Sequence, residues 1–504
     1  MERNGSSAPD KGRGTDARAL SRLSPSSEAL RLVPYEAARR LQILPLRIDE
    51  TGRLVAFSLH AGDMFLADEV RALCRQPVTL VQAAEASLSA EIERAYQFSG
   101  EVARLAGEEV SPAVQVSDEY EDGSPAAEIV ERIVAQALRE RASDVHIEPG
   151  DTKTRVRFRI DGHLFNALEM PLASHPSVTA RVKLMAGMDI AEKRTPQDGR
   201  IHRAFEGRDY DLRVSTLPSI RGEKTVLRIL DGDREAMTLD ALGCSPAEMA
   251  AIRRLLSGRR GLILNTGPIG SGKTTTLHAM MRELKTDEFN AITIEDPVEY
   301  RLPQATQVQV NEKSGLTFAS ALRAVLRQDM DLLLLGEIRD QETAALAVRA
   351  AITGHLILTT LHCGEAAAAP ARMVDMGVPP YLLGACLRGV LSQRLLRRLC
   401  PHCRRAVTGD AAELRALGLT QGTMVYQAVG CPQCGGRGYH GRIAAFEILS
   451  ISPALAQSIV RGATAAEIAS QAQAEGMVPL RQNAASLVQQ GVTSCEEALA
   501  SLGE

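Results

Sequence analysis

The chain contains the segment Gly267-Pro268-Ile269-Gly270-Ser271-Gly272-Lys273-Thr274, directly after a short apolar run from Gly261 to Asn265. The apolar run predicts a buried strand, and the residues from Lys273 to Lys285 predict a helix. Glycines in such a loop let backbone N–H groups approach phosphate oxygens, while a lysine supplies positive charge to the β- and γ-phosphates. The hydroxyl of Thr274 is placed to join the coordination shell of Mg²⁺. We therefore predict a nucleoside triphosphate site at this loop, extended by Thr275.

Length and composition indicate a globular protein of several domains. The chain has 504 residues, 45% of them hydrophobic and 24% charged, which is enough for about three or four domains. A net charge of −4, 3% aromatic residues and no tryptophan argue against a nucleic-acid partner. No apolar run approaches the roughly 18 residues that span a bilayer, and the first residues lack the apolar core of a signal peptide. We predict a cytoplasmic protein.

The first quarter of the chain divides into a tail, a small module and a linker. Residues 1–28 are rich in Gly, Ser, Pro and charge and predict a flexible tail, while residues 29–98 have the pattern of a compact α/β module. We expect a helix from Pro34 to Gln42 and strands from Leu44 to Ile48 and from Leu54 to Leu59, followed by two further helices. Residues 99–123 contain many acids without apolar periodicity and predict a solvated linker.

Residues 124–236 have the pattern of an α+β domain without an enzyme motif. An amphipathic helix is predicted from Pro125 to Arg141 and another from Val178 to Met188, with a hairpin turn at Asp161-Gly162. Alternating apolar residues predict four strands: Val145 to Glu148, Arg155 to Ile160, Asp209 to Leu217 and Lys224 to Leu230.

Residues 237–395 alternate apolar strands with helical runs, which is the pattern of a parallel sheet flanked by helices. The predicted strands are Leu262 to Asn265, Ala291 to Ile294, Leu332 to Leu335 and Leu356 to Leu361. Glu295, Glu337 and His362 follow three of them, at the sheet edge where ligands bind. A single carboxylate at a strand end is usually a helix cap. Two of them behind one phosphate loop favour roles in holding Mg²⁺ and orienting an attacking water.

Several strings now carry a family resemblance. The string Thr293-Ile294-Glu295-Asp296-Pro297-Val298-Glu299-Tyr300 resembles the aspartate box of the type II secretion and type IV pilus ATPases. The string Leu335-Gly336-Glu337-Ile338-Arg339-Asp340 resembles their Walker B segment, and residues 353–362 resemble their histidine box. The resemblance covers essentially the whole chain after Ser124. It implies a multidomain α/β protein with a RecA-like P-loop ATPase core preceded by an α+β, PAS-like domain.

The same resemblance implies roles for individual side chains. Glu295 is expected to act on the attacking water and Glu337 on the metal side, although the sequence leaves open which of the two is the base. His355 and His362 are expected to sense the γ-phosphate, with a hydrogen-bonded core histidine as the alternative for either one. The chain departs from the family pattern at Cys363-Gly364, where Thr-Asn is common.

Four arginines are expected to assist hydrolysis. The resemblance implies that Arg213 and Arg228 of the α+β domain are arginine fingers and that Arg323 and Arg327 add charge from the ATPase core. Without the resemblance, Arg213 and Arg228 would be taken as solvated strand residues. Arg323 and Arg327 are spaced i,i+4 and are expected to share one helix face.

Residues 396–440 contain two Cys-x-x-Cys pairs that predict a zinc site. The pairs are Cys400 with Cys403 and Cys431 with Cys434, a spacing suited to a tetrahedral, structural Zn²⁺ with four thiolates. A redox dithiol is the alternative, but it needs one pair only. Nearby, the acid-free stretch from Met376 to Gly409 contains six arginines at helical spacing, which predicts either a solvated face or a contact for an acidic partner or membrane. Residues 441–504 predict two or three polar helices.

These patterns predict an ATPase that uses ATP, Mg²⁺ and Zn²⁺, and the resemblance implies that it forms a ring. The resemblance implies a homo-hexamer that drives pseudopilus assembly in type II protein secretion. It also implies recruitment to the inner membrane through the N-terminal module, which would dock on the cytoplasmic domain of the L-type component, and contact with the F-type platform protein. A type IV pilus extension ATPase is the alternative within the family. A nucleotide-gated scaffold and a nucleic-acid translocase are alternatives of other classes.

Overall fold

The structure is a computed structural model that describes residues 25, 27–48, 52–83, 88–89, 92–93, 95–96, 124–205, 207–231, 238–284 and 288–503. The chain divides into two compact units. One unit comprises residues up to Leu230 together with Leu399–Arg405 and Gln427–His440. The other comprises Asp231–Arg398, Ala406–Tyr426 and Gly441–Glu504. Most of the predicted tail and all of the predicted linker lie outside the described residues.

The N-terminal module is a three-stranded sheet packed with short helices. Its elements are α1 Ser27–Leu32, α2 Tyr35–Leu41, β1 Ile43–Ile48, β2 Leu54–Ser58, α3 Met64–Cys74 and β3 Val78–Gln82. β2 lies between β1, to which it is antiparallel, and β3, to which it is parallel. Ile43, Phe57 and Val70 are buried in one apolar core. The predicted helix and both predicted strands of this module are confirmed.

The α+β domain is a six-stranded antiparallel sheet covered on one face by two helices. Its elements are α4 Pro125–Arg139, β4 Asp144–Pro149, β5 Lys153–Ile160, β6 His163–Pro171, α5 His175–Met185, β7 Gln197–Phe205, β8 Arg208–Ser219 and β9 Gly222–Asp231. The strand order is β6-β5-β4-β9-β8-β7. Asp161 and Gly162 both have positive φ, so the predicted hairpin turn between β5 and β6 is confirmed. The sequence patterns did not reveal β6 and β7.

The second unit is centred on a seven-stranded sheet. Its strands are β10 Gly261–Thr266, β11 Ala291–Glu295, β12 Thr306–Gln309, β13 Leu332–Leu335, β14 Leu356–Leu361, β15 Leu387–Leu399 and β18 Tyr439–Ser450. They lie in the order β12-β11-β13-β14-β10-β15-β18, and the pairs from β12 to β15 are parallel. Leu262 and Ile263 belong to apolar cores on opposite faces. Burial on both faces explains why β10, β11, β13 and β14 appear in the sequence as short, largely apolar runs.

Helices and a small two-stranded sheet complete the chain. The helices are α6 Pro246–Ser257, α7 Lys273–Glu283, α8 Phe318–Val325, α9 Gln341–Ile352, α10 Ala369–Asp375, α11 Pro380–Cys386, α12 Ala411–Ala416, α13 Pro453–Val460, α14 Ala465–Ala474, α15 Leu480–Gln489 and α16 Cys495–Leu502. The small sheet pairs β16 Arg405–Thr408 with β17 Met424–Gln427. None of the helices in the described ranges combines the length and the apolar character needed to cross a bilayer.

The arginine-rich stretch before the cysteines does not have the helical spacing that we predicted. Arg388, Arg394 and Arg397 lie on strand β15. Arg397 binds Glu497 at 2.6 Å, and both side chains are largely buried. A counter-charge a hundred positions away is invisible to local sequence patterns, so the lack of nearby acids did not reveal that Arg397 is paired.

Candidate active site

The phosphate-binding loop connects β10 to α7, as predicted. β10 ends at Thr266 and α7 begins at Lys273. Gly267 has a φ of +144°, and a Cβ atom at this position would lie 2.6 Å from the backbone oxygen of Gln393. Gly272 precedes α7 with a φ of +87°, in the left-handed region. The backbone geometry therefore requires these glycines. The loop that they form ends at a helix N-terminus, a position suited to binding phosphate.

Lys273 lies inside this loop. Its Nζ donates to the backbone oxygens of Gly267 and Pro268, each at 2.9 Å. Burial lowers the pKa of the Lys273 ammonium, while the charge of Glu337 acts to raise this pKa and that of Arg394 acts to lower it. Glu337 and Arg394 therefore lie within electrostatic range of the lysine.

Gln393 supports the loop, although the sequence did not single it out. This residue of β15 is fully buried. Its Oε1 accepts hydrogen bonds from Thr276 Oγ1 at 2.8 Å and from Asn265 Nδ2 at 3.3 Å. Gln393 thereby joins β10, α7 and its own strand. Its partners are 117 and 128 positions away, so no local pattern could have identified it.

Glu337 is the centre of a charged cluster at the same edge of the sheet. Its Oε1 accepts from Arg339 at 2.6 Å, and its Oε2 lies 3.5 Å from Nε2 of His362. Arg339 also lies 3.7 Å from Asp296. Burial acts to raise the pKa of Glu337, but the hydrogen bond from Arg339 and the proximity of His362 hold it below the ordinary value. The predicted Glu337 and His362 are thus brought together.

Glu295 ends β11 and is almost completely buried. One carboxylate oxygen lies 3.0 Å from Nε2 of His278, and the other accepts from Thr293 at 2.7 Å and from Gln307 at 3.2 Å. Burial acts to raise the pKa of Glu295, but the hydrogen bonds, with that of His278 foremost, hold it below the ordinary value. Glu295 is therefore an ionised carboxylate held by three side chains.

His355 does not lie with the other predicted residues. It precedes β14, whereas the phosphate-binding loop follows the parallel strand β10, so His355 lies at the opposite edge of the sheet. Its Nδ1 is 2.9 Å from the backbone oxygen of Ala350 and 3.2 Å from Thr353 Oγ1. His355 and His362 therefore lie at opposite edges of the sheet, and the expectation that both sense the γ-phosphate stays a prediction.

Arg323 and Arg327 do not share a helix face, because α8 ends at Val325. Arg323 is paired with Glu342 on the next helix. The guanidinium of Arg327, which lies in the turn after α8, donates to the backbone oxygen of Arg323 at 2.7 Å. The helix stops too early for the spacing argument, and the roles of these two arginines stay predictions.

Arg213 and Arg228 lie on one face of the six-stranded sheet. Leu212 and Val214 of β8 and Leu227 of β9 point into the core, so the alternating arginines are on the other face. Arg228 is exposed and binds Asp144 at 3.1 Å. The expectation of a solvated strand residue describes the exposure of Arg228, whereas Arg213 is half-buried, and the proposed role of both as arginine fingers stays a prediction.

The side chains at the loop suit a magnesium nucleotide. The Thr274 hydroxyl at the start of α7 and the Glu337 carboxylate are hard oxygen donors, which Mg²⁺ prefers. Lys273 and the helix N-terminus offer positive charge to phosphate oxygens. When bound, Mg²⁺ neutralises the charge that develops between the β- and γ-phosphates.

The four predicted cysteines converge on one point. The Sγ–Sγ distances are 3.8 Å for Cys400–Cys431 and for Cys431–Cys434, and 3.9 Å for Cys403–Cys434. A regular tetrahedron of thiolates with Zn–S bonds of about 2.3 Å has sulfur atoms about 3.8 Å apart. The geometry of the cluster therefore fits a structural Zn²⁺.

Backbone N–H groups and one ion pair hold this cluster. The N–H of Gly430 points at Cys403 Sγ at 3.3 Å, and that of Gly438 points at Cys434 Sγ at 3.2 Å. Arg437 binds Glu140, which caps α4, at 2.9 Å, and both side chains are nearly buried. Its guanidinium also lies 5.9 Å from the ring of Phe165 on β6. The cluster is thus fastened to the α+β domain within one compact unit.

Two family models match the chain. The model described as "Type II/IV secretion system protein" matches residues 119–500, and the model described as "MshEN domain" matches residues 14–102. Among curated proteins, "Type II secretion system protein HxcR" of Pseudomonas aeruginosa is 40% identical over 93% of this chain and 98% of its own length. "Type II secretion system protein E" of Klebsiella pneumoniae is 38% identical over 95% of this chain and 98% of its own length.

Other relatives have names from pilus systems. "Type IV pilus assembly ATPase PilB" of Thermus thermophilus is 41% identical over 94% of this chain, which spans 55% of the length of that relative. The crystal structure of the pilus retraction motor PilT with bound ADP is similar with a TM-score of 0.50 and 27% identity, over 74% of this chain and 96% of that one. The ATPase DotB of Legionella pneumophila, at 20% identity and a TM-score of 0.55 over 78% of this chain and 98% of that one, shares the fold.

Proposed function

The chain belongs to the type II/IV secretion system protein family, and from this membership we propose that it is the motor ATPase that energises pseudopilus assembly for type II protein secretion across the outer membrane. The observation that carries the proposal is the similarity to two type II secretion proteins, which extends over 98% of the length of each. The enzymatic activity is hydrolysis of ATP.

Lys273 and the backbone of its loop are proposed to bind the β- and γ-phosphates, and the Thr274 hydroxyl to hold Mg²⁺. Lys273 must then give up its hydrogen bonds to Gly267 and Pro268. Glu337 is proposed to act on the metal side of the site, since its charge already acts on Lys273. Glu295 is proposed to orient or deprotonate the attacking water.

Further proposals concern assembly and location. We place the protein on the cytoplasmic side of the inner membrane as a homo-hexamer, docked through its N-terminal module on membrane components of the secretion system. Arg213 and Arg228 are proposed to complete the site as arginine fingers. Zn²⁺ is proposed to bind the four cysteines in a structural role, because four thiolates leave no open coordination position for a substrate.

Deletion of the gene tests the biological role. We expect the deletion strain to retain in the cell proteins that the parent strain releases into the medium, and to regain release when the full chain is supplied. Surface pili should persist. The relative from Thermus thermophilus favours pilus assembly as a second candidate, and loss of pili with normal protein release would support that candidate instead.

A further inference from the structure

His278 connects the phosphate-binding helix to the acid proposed to act on water. It lies on α7, five positions after Lys273. Its Nε2 is 3.0 Å from a carboxylate oxygen of Glu295, and both side chains are less than 5% exposed.

The other contacts fix both partners of this pair. Thr293 and Gln307 donate to the second oxygen of Glu295. Gln307 is itself fixed, because it also donates to the backbone oxygen of Tyr300 at 2.9 Å. The ring of Tyr300 packs edge-on against the imidazole of His278, with the ring centres 5.8 Å apart. The carboxylate is thus held from α7, β11 and β12 at once.

The hydrogen-bond pattern determines which nitrogen of His278 donates. An ionised carboxylate only accepts hydrogen bonds, so Nε2 must carry a proton. Nδ1 is buried and has no hydrogen-bond partner among the described residues. The contacts therefore place a proton on Nε2 and a carboxylate oxygen opposite it.

From these contacts we propose that His278 is a positioning residue for ATP hydrolysis, which orients the Glu295 carboxylate and links its position to the helix that begins at Lys273. The inference rests on the proposed function of Glu295. Because α7 starts at the lysine of the phosphate loop, a change in the loop on nucleotide binding is passed to Glu295 through one hydrogen bond. His278 itself does not contact the reacting atoms.

Variants of His278 test the proposal in the full-length, assembled protein. His278→Leu removes the donor, and we expect the kcat for ATP to fall about ten- to a hundredfold, the effect of losing a hydrogen bond to a charged group. KM and the Kd of a fluorescent ATP analogue should stay within about twofold. His278→Gln places an amide N–H near the position of Nε2 and should recover most of kcat. Unchanged kcat in His278→Leu would overturn the proposal.

A double-mutant cycle separates this proposal from that for Glu295. Under single-turnover conditions with labelled ATP, His278→Leu should cause no further loss in the Glu295→Gln background, because its partner is already altered. Equal losses in both backgrounds would show that His278 acts elsewhere. If Glu295→Gln alone hydrolyses ATP at the normal rate, the proposed role of Glu295 fails first. Should His278→Leu not fold, His278→Asn, which is too short to reach Glu295, is compared with His278→Gln in the same way.

Discussion

The four-cysteine cluster and the phosphate-binding edge of the seven-stranded sheet both bring several polar side chains together, but they hold these groups differently. The sulfur atoms already lie at distances that suit zinc, and backbone N–H groups point at them. At the sheet edge, Lys273 bonds to its own loop and Glu337 to Arg339. The cysteines can close around an ion without rearrangement, whereas the roles proposed for the charged groups require them to exchange partners when a nucleotide binds.

This difference in side-chain arrangement is the one expected between a structural metal site and a catalytic site. In a preassembled metal site the free energy of binding becomes folding free energy. In a site whose groups exchange partners, ligand binding favours one arrangement over another, which is how a motor couples chemistry to movement. The expected effects of mutation therefore differ in kind: loss of structure at the cysteines, and loss of rate with retained structure at the sheet edge.

Loss of the metal is expected to have the largest effect. Cys431→Ser, or removal of Zn²⁺ with a chelator, should unfold the segment around the cysteines, because apparent zinc binding in small peptides amounts to about 10 to 16 kcal/mol. Metal content and limited proteolysis measure the change. Cys244→Ser, outside the cluster, is the matched control and should retain the metal. A variant with Cys431→Ser that keeps both zinc and the parent cleavage pattern would contradict the structural role.

Removal of a proposed arginine finger should have the next largest effect. Arg228→Ala is expected to lower kcat about 10³- to 10⁵-fold, which corresponds to about 4 to 7 kcal/mol of transition-state stabilisation. Arg228 now binds Asp144, so its role requires an exchange of partners. The release of phosphate measures the rate, and Arg155→Ala, an exposed arginine of β5 on the same face, is the control. Equal rates of phosphate release for the two variants would show that Arg228 is not an arginine finger.

The two acids at the sheet edge should respond differently to substitution. Glu295→Gln should lower kcat by about 10²- to 10⁴-fold at every Mg²⁺ concentration, as expected for a base or water-orienting group. Glu337→Gln should instead shift the activity to higher Mg²⁺ concentrations. Phosphate release over a Mg²⁺ titration distinguishes the two, with Glu283→Gln near the far end of α7 as the control. A Mg²⁺ shift in Glu295→Gln alone would reverse the assignment.

A smaller effect, on folding stability, is expected when the ion pairs of Glu148 in the α+β domain are removed. Burial acts to raise the pKa of Glu148, but hydrogen bonds from Arg157 and Lys224 lower it to about 2. Because the pKa of Glu148 is lower in the folded state, its ionised carboxylate stabilises that state at pH values above 4.5, the ordinary pKa. This stabilisation is lost as the pH falls from 4.5 towards 2. With solvent screening it amounts to about 1 to 2 kcal/mol.

Urea unfolding at two pH values tests this contribution. Glu148→Gln should be less stable than the parent at pH 7, and most of this difference should be lost near pH 2, where about half of the parent carboxyl is protonated. Asp151→Asn, an exposed acid of the same domain, is the control. A difference that persists at low pH would mean that the substitution acts through packing rather than charge.

The parts of the fold that could be predicted are those with a strong local pattern. β10, β11, β13 and β14 were recognised because burial on both faces makes them short apolar runs. β15 was not recognised, because its arginines interrupt the apolar pattern, and Arg397 is matched by Glu497 from the far end of the chain. For the same reason the basic stretch was wrongly assigned a helical spacing.

The candidate site shows the same division. The phosphate loop, Glu295, Glu337, His362 and the cysteines were identified from short strings, because the chemistry of each requires particular residue types at a set spacing. His355 lies in one of these strings and yet lies at the other edge of the sheet, because it precedes its strand instead of following it. A short string shows that a residue is present. Whether the residue precedes or follows its strand determines at which end of the parallel strands it lies.

From its residues alone, this chain specifies a phosphate loop on a parallel sheet, two acidic strand ends and four cysteines with zinc spacing. Only the tertiary structure determines which buried polar groups form hydrogen bonds with each other. His278 pairs with Glu295 across 17 positions, and Gln393 pairs with Asn265 across 128. The physical reason is that backbone conformation follows from neighbouring residues, whereas the pairing of buried polar groups depends on which strands and helices the fold brings into contact.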